Sequence, residues 1–128
     1  MANELMTNQI ESSNDKKYDL EERTACFGEA VIDLVRAVKF SVLARSILDQ
    51  LLRSATSIGA NYMEADVAES KVDFRHKIGI CKKETKETLH WLRMLARAES
   101  SKQEECRVLW KEAHELLLIF SAIVKRKY

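Results

Sequence analysis

The sequence contains no proline and only three glycines in 128 residues. Sheet-containing domains of this size use many such residues at their turns, so the scarcity argues against a β-sandwich or an α/β fold. The sequence also lacks an apolar run approaching the roughly 20 residues that span a bilayer, and residues 1–17 contain no apolar signal-peptide core. We therefore expect a soluble, cytoplasmic protein without a membrane partner.

Cysteine is scarce as well. Cys26, Cys81 and Cys106 are an odd number of cysteines at wide, unrelated spacings, which makes a disulfide framework improbable. Each falls on a predicted apolar helix face, where a free thiol behaves as a small hydrophobic group. This pattern fits a reducing compartment.

Charged residues, by contrast, make up 32% of the chain, and alanine, leucine, glutamate, lysine and arginine are abundant. This composition is typical of long helices in one domain. Residues 1–15 lack periodicity and are rich in asparagine, serine and glutamate. We interpret them as a disordered or frayed arm that precedes a domain over residues 16–128.

Four segments place apolar residues at alternating spacings of three and four, which is the pattern of one helix face. Four such helices with short connections predict an all-α, antiparallel, up-and-down four-helix bundle. Capping boxes are predicted at Ser70 with Asp73 and at Ser101 with Glu104, while either Ser41 or Ser46 could cap the second helix after a turn near residues 39–45. The predicted helices cover about residues 17–39, 45–68, 71–98 and 102–125.

The fourth helix carries a second apolar seam of Trp110, Leu117 and Val124 at intervals of seven residues, and the third carries Trp91 beside its main face. A lone bundle buries two seams on one helix with difficulty, so these four residues are candidates for a contact between subunits. The alternative is one unusually wide core face.

The second and third helices carry a series of distinctive motifs within about residues 47–97. These are Leu51-Leu52-Arg53-Ser54-Ala55-Thr56-Ser57-Ile58-Gly59-Ala60-Asn61, Glu64-Ala65, Ala68-Glu69-Ser70-Lys71, Asp73-Phe74, His76-Lys77, Lys82-Lys83-Glu84, Lys86-Glu87-Thr88 and Trp91-Leu92. With these motifs the chain resembles the bacterial four helix bundle protein family. That family was first noticed as proteins encoded in intervening sequences of 23S ribosomal RNA genes, and it includes the accessory variability determinant of diversity-generating retroelements.

This resemblance implies an up-and-down bundle assembled as a homopentameric ring. It also implies association with RNA or DNA and with another protein such as a reverse transcriptase, since the retroelement member is similar to a basic nucleic-acid-binding protein. The chain itself is nearly neutral at +1, with six acids against two lysines in residues 1–22. Residues 71–97 carry eight bases against three acids.

A line of polar residues on the second helix, Ser54, Ser57, Asn61 and Glu64, lies beside the core seam at spacings of three and four. These residues could orient a ligand. They could instead form a structural polar network with the third helix through Lys82, Lys83 or Glu84, and we favour this interpretation because an unpaired buried polar group costs about 1–3 kcal/mol. Glu84 and Glu87 belong to the same predicted network.

A set of cations on the second and third helices could hold phosphates, and ring symmetry would multiply it. Lys82 and Lys86 are expected to share a face, while Lys83 turns away and can pair with Glu87. The alternative is a solvated helix face. The predicted nucleic-acid-binding residues are Arg53, Arg75, Lys77, Lys82, Lys83, Lys86, Arg93 and Arg97, and Lys125–Lys127 form a basic tail.

Catalytic patterns are weak. Glu87 and His90 form a Glu-x-x-His motif, but its looser partner, Asp73 with His76, lies 14 residues away on the same helix, about 21 Å along its axis. One metal cluster cannot use both motifs of one chain, and neither a nucleophile elbow nor a glycine-rich phosphate loop occurs. We therefore expect a non-enzymatic homo-oligomer with no metal and no cofactor that binds RNA or DNA; the alternative is a protein-interaction scaffold ring.

Overall fold

The computed structural model describes residues 19–126, and in this part of the chain four α-helices run one after another without a β-strand. The predicted arm at residues 1–15 and Lys127 of the basic tail lie outside the described residues. A 3₁₀ turn at Ser100–Lys102 separates the third and fourth helices. The helices are α1 Leu20–Ala37, α2 Val42–Asp66, α3 Lys71–Ala98 and α4 Gln103–Lys125.

Contacts between consecutive helices show that the bundle is antiparallel, as predicted. On α2 and α3, Arg53 pairs with Glu84 whereas Glu64 pairs with Lys77, so residue numbers rise along one helix as they fall along the other. The α2–α3 interface is the most extensive, and α1 meets α4 over a much smaller area. Within residues 19–126, the diagonal partners α1 and α3 do not pack on each other.

The turn between α1 and α2 is shorter than predicted. The Ser41 hydroxyl accepts a hydrogen bond from the Ala44 amide at 3.0 Å, so α2 begins at Val42 and Ser41 is its cap. Ser46, the other candidate, lies inside the helix. An N-cap hydroxyl satisfies one of the first-turn amides that have no partner within the helix, which is why the helix begins there.

Of the two predicted capping boxes, one hydroxyl cap is confirmed and the other is wrong. Ser70 accepts from the Asp73 amide at 3.0 Å at the start of α3. Ser101 lies inside the 3₁₀ turn that continues directly into α4, and its hydroxyl donates to Glu99 Oε1 at 2.7 Å. Lys102 occupies the cap position of α4 without a side-chain cap bond, because the preceding turn supplies the helical entry.

The core consists of the predicted helix faces. Phe27, Leu51 and Ile58 are fully buried, and each such side chain contributes roughly 1.5–3 kcal/mol by leaving water. Thr85 is buried among them because its hydroxyl donates to the Cys81 carbonyl one turn earlier at 2.7 Å. The buried faces of the last two helices are Ile78, Cys81, Glu84, Thr85, Thr88, Leu92 and Leu95 on α3, and Cys106, Leu109, Glu112, Ala113, Leu116, Phe120 and Ile123 on α4.

All three cysteines are buried. Burial, reinforced by the hydrogen bond to Glu22, raises the pKa of Cys26 to about 12. Burial likewise raises the pKa of Cys81 to about 12 and that of Cys106 to about 11. Thiols held protonated in an apolar core are poor nucleophiles and poor metal ligands. As for membranes, none of the helices in residues 19–126 is both long and apolar enough to cross one.

Candidate nucleic-acid interface

The outward face of α3 carries a line of basic side chains. Lys83, Lys86, His90, Arg93 and Arg97 are all exposed and follow one another at spacings of three and four, and we call these five residues the cation stripe. Such spacing keeps residues on one helix face, and the 14 residues from the first to the last span about 21 Å. One acid lies beside this line, Glu87, which is half-buried and bonded to Arg53.

The structure corrects the predicted orientation of the lysine pair. Lys83 is exposed beside Lys86, whereas Lys82 is half-buried on the flank of α3. The ion pair predicted between Lys83 and Glu87 does not form, because Glu87 is bonded to Arg53. Both lysines are about one turn from Lys86, so their spacing alone does not predict which of them shares its exposed face. The burial of Lys82 in the structure shows that Lys83 does.

Three of the eight predicted phosphate ligands, Arg53, Lys77 and Arg75, are bonded to other groups of the chain. Arg53 Nη1 lies 2.9 Å from Glu84 Oε2, and its other terminal nitrogen is bonded to Glu87. Lys77 Nζ donates to Glu64 Oε1 at 2.9 Å. These pairs join α2 to α3, and their carboxylates offset the positive charges of Arg53 and Lys77.

Arg75 has a different partner. Its Nη2 donates to the Val124 carbonyl at 2.9 Å, near the end of α4. The last carbonyls of a helix lack amide partners and carry partial negative charge, so this contact ties α3 to α4. The unpaired cations among the predicted ligands in residues 19–126 are therefore Lys82, Lys83, Lys86, Arg93 and Arg97.

The polar line on α2 divides into two kinds of contact. Thr88 Oγ1 donates to the buried Ser54 Oγ at 2.9 Å, and Ser54 donates in turn to the Leu51 carbonyl at 3.3 Å. Ser57 donates to the Arg53 carbonyl and Asn61 to the Ser57 carbonyl, at 2.7 and 2.8 Å, so both bond within their own helix. The α3 partners of this line are thus Thr88 and Lys77, in place of Lys82, Lys83 or Glu84.

A cleft opens between α2 and α3 next to the cation stripe. Its volume is about 530 Å³. Within it the rings of His90 and Trp91 meet edge to face, with centroids 4.8 Å apart and planes at 75°. We call it the α2–α3 cleft; it is lined by Gln50, Arg53, Lys86, Glu87, His90 and Trp91.

The residues proposed for a subunit contact differ in exposure. Trp110 is 39% exposed and stacks on His114 with ring centroids 5.1 Å apart, while Trp91, Leu117 and Val124 are half-buried within the chain. The apolar residues around the start of α2 were not singled out in the sequence analysis. Phe40, Val42 and Leu43 are 74%, 88% and 66% exposed there. The sequence signal that could have predicted this surface is the run of three apolar residues around the cap Ser41.

A buried ion pair between α1 and α4 also went unpredicted. Arg23 Nε and Nη2 donate to the two carboxylate oxygens of Glu112, each at 2.8 Å. The hydrogen bond to Glu112 raises the pKa of Arg23 despite burial. The signal for it was position: Arg23 lies between the core residues Leu20 and Phe27 at helical spacing.

The Glu-x-x-His motif of α3 is engaged in an ion pair. Glu87 of the Glu-x-x-His motif is occupied by Arg53, so its carboxylate does not face an open ligand position beside His90. Within residues 19–126, no three His, Cys, Asp or Glu side chains lie close enough to hold a metal ion together.

Comparison with known proteins gives the chain its relatives. A crystal structure of a protein of unknown function from the S23 ribosomal protein family of Bacteroides thetaiotaomicron VPI-5482 superposes with a TM-score of 0.73 at 32% sequence identity, over 83% of this chain and 98% of the other. No curated protein matches. Residues 16–122 match the profile of the 23S rRNA-intervening sequence protein family, with the fold and the motifs described above, and the chain belongs to that family.

Proposed function

We propose that this chain is a non-catalytic homo-oligomer that binds RNA or DNA through the cation stripe of α3. The observation that carries the proposal is the stripe itself. It has four permanent cations, all exposed, none paired with an acid among residues 19–126, and all on one helix face. A helix face that only needed solubility would gain more from mixed charges, since like charges one turn apart repel.

The mechanism follows from the spacing. Successive stripe residues are separated by about 5 Å along the helix axis, so a phosphate backbone lying beside α3 meets a basic side chain at every turn, four of the five being permanent cations. Each phosphate that is neutralised releases a counterion, which supplies affinity without reading sequence. Long side chains on an open face can follow backbones of different curvature.

Assembly multiplies this surface. The family resemblance implies five subunits, and five copies of the stripe on one particle would bind a long strand at several points. Exposed apolar side chains support association: Phe40, Val42 and Leu43 lie around the start of α2, and Trp110 is exposed on α4. Leu117 and Val124 add half-buried apolar surface on the same helix as Trp110.

The test is a salt titration of binding to a labelled 30-nucleotide RNA and to a DNA of the same sequence, measured by fluorescence anisotropy. We expect affinity to fall steeply with salt. Replacing Lys83, Lys86, Arg93 and Arg97 by glutamine should flatten the slope of log affinity against log salt by about 3 units per bound subunit.

A matched control removes the same charge elsewhere. Arg36, Lys39, Arg45 and Lys111 are exposed and lie outside the stripe, so replacing these two arginines and two lysines by glutamine gives the same net charge. We expect the control variant to keep most of the wild-type slope. Equal losses in both variants would mean that only net charge matters, and no binding at low salt would remove the proposal.

The second candidate function is a protein-interaction scaffold. A groove of about 560 Å³ on the outer side of α1 and α2 favours it, because Ile32, Ala60 and Met63 form apolar surface beside the carboxylates of Glu22 and Glu29. That chemistry suits a basic, amphipathic protein segment and not a phosphate backbone. A partner that co-purifies with wild type and with the stripe variant, but not with Met63→Asp, would favour the scaffold.

A further inference from the structure

The α2–α3 cleft adjoins the cation stripe directly. Lys86 and His90 belong to both, so a strand whose phosphates follow the stripe passes the mouth of the cleft. Trp91 stands in the cleft wall, half-buried, with its ring edge to face with His90. The cleft therefore places aromatic surface within one side chain of a phosphate-binding cation.

Arg53, Glu84 and Glu87 at the cleft carry one positive and two negative charges, and Lys86 at the rim brings the sum to zero. Arg53 is bonded to both Glu84 and Glu87, so neither its cation nor those carboxylates stand alone. Lys86 is then the unpaired charge at the rim. Gln50 Oε1 accepts a long hydrogen bond from Arg53 Nε at 3.4 Å, which leaves its amide NH₂ available as a donor.

These groups match the needs of one unpaired base. Aromatic rings stack on base faces, an amide bonds to base edges, and a neighbouring lysine holds the adjoining phosphate. Paired bases stay stacked inside a duplex and cannot enter such a cleft without unstacking, which costs a few kcal/mol.

We propose that the α2–α3 cleft binds an unpaired nucleobase, so that single-stranded nucleic acid is the ligand of this surface. The inference rests on the proposed function, since the stripe must first hold the backbone. It adds what the stripe alone cannot supply, a preference for single strands over duplex.

The test uses Trp91 as its own reporter. The chain has two tryptophans, so Trp110→Phe leaves Trp91 as the single one. Titrating the full chain with a 20-nucleotide oligouridine and with a 20-base-pair duplex should quench Trp91 emission in the first case only. Trp91→Leu should weaken single-strand binding about 5- to 150-fold and leave duplex binding and its salt slope unchanged.

A second variant tests the cleft independently, in case Trp91→Leu does not fold. Gln50 is exposed, and Gln50→Glu places a negative charge at the cleft mouth; Gln103→Glu, at the exposed start of α4, is its matched control. We expect the first to reduce the single-strand preference and the second to leave it unchanged.

The outcomes separate the cleft from the stripe. Equal binding of single strands and duplex, without quenching but still dependent on salt and on the stripe lysines, would overturn the cleft site and leave the proposed function standing. Binding to neither nucleic acid would overturn both.

Discussion

Arg23 and Glu112 connect the two helices that share the smallest interface. Their side chains are 5% and 3% exposed, and both carboxylate oxygens are bonded at 2.8 Å. Burying two charges is costly, and only near-ideal bidentate geometry offsets the loss of water. The pair therefore adds little net free energy as a unit, but each partner depends strongly on the other.

Removing one partner should expose that dependence. We expect Glu112→Ala to lower the free energy of unfolding by about 3–5 kcal/mol, because it leaves the Arg23 guanidinium buried without its carboxylate. The measurement is urea denaturation followed by circular dichroism. Glu115→Ala is the control: this carboxylate is 3.6 Å from the same arginine but 58% exposed, so its loss should cost under about 1 kcal/mol.

The paired replacement completes the experiment. Arg23→Met with Glu112→Leu substitutes apolar side chains of similar volume, and we expect it to recover most of the lost stability. Equal effects of Glu112→Ala and Glu115→Ala would show that Arg23 is solvated in solution, contrary to the structure.

The same pair shows which contacts of single residues cannot be predicted from the sequence. Periodicity places Arg23 on the core face of α1, but its partner is 89 residues away in the sequence and nothing local identifies it. Lys82 and Lys83 make a similar case, since both can share a face with Lys86. The choice depends on how α3 packs on α4, which is information from tertiary structure.

At the scale of helices, local chemistry predicted most of the architecture. Apolar spacing located all four helices, and Ser70 with Asp73 marked the start of α3 correctly. The same pattern failed at Ser101, because a serine followed three residues later by glutamate does not distinguish a cap from a 3₁₀ turn that runs into the helix. The α2–α3 cleft went unpredicted, since it depends on which residues of two helices lie opposite each other.

Gly79 is an element-scale weakness in the middle of α3. A Cβ built at this position meets no atom within 4 Å. We therefore expect Gly79→Ala to raise the free energy of unfolding by roughly 0.5–1 kcal/mol through helix propensity alone. The readout is again the urea midpoint, with an unchanged slope.

Gly59 provides the contrast within the same fold. On α2, a Cβ there would lie 3.4 Å from Thr24 Oγ1 on α1, so the propensity gain should be offset in part by crowding. Gly59→Ala should then stabilise less than Gly79→Ala. Should Gly79→Ala destabilise the protein instead, another molecule, such as a neighbouring subunit, must approach α3 closely at that position.

At the scale of the whole molecule, a net charge of +1 conceals two opposed surfaces. The cation stripe lies on α3, whereas exposed acids including Glu21, Glu22 and Glu29 lie on α1. These two helices are diagonal partners that do not pack together in the described part of the chain, so their outer faces point away from each other. Charge counting along the sequence detected the asymmetry, but only the bundle shows that Glu87, the acid beside the stripe, is bonded to Arg53.

Assembly is the property that most changes what this surface can do. Three neighbouring apolar side chains, Phe40, Val42 and Leu43, are exposed around the start of α2, and burying them against another subunit would be favourable. We expect Phe40→Ser with Leu43→Ser to shift the mass in multi-angle light scattering from an oligomer toward the 14.8 kDa subunit. Val67→Ser with Val72→Ser, at the α2–α3 turn, removes equally exposed apolar groups and should leave the mass unchanged.

The apolar flank of α4 supplies the competing outcome. Of the three residues of this seam, Leu117 and Val124 are already half-buried within the subunit, and Trp110 is 39% exposed. Trp110→Ser should therefore reduce assembly less than Phe40→Ser with Leu43→Ser does. A larger loss with Trp110→Ser would place the contact on the flank predicted from sequence. A wild-type subunit that stays single at high concentration would leave each stripe alone, and affinity for long strands would then not exceed that for short ones.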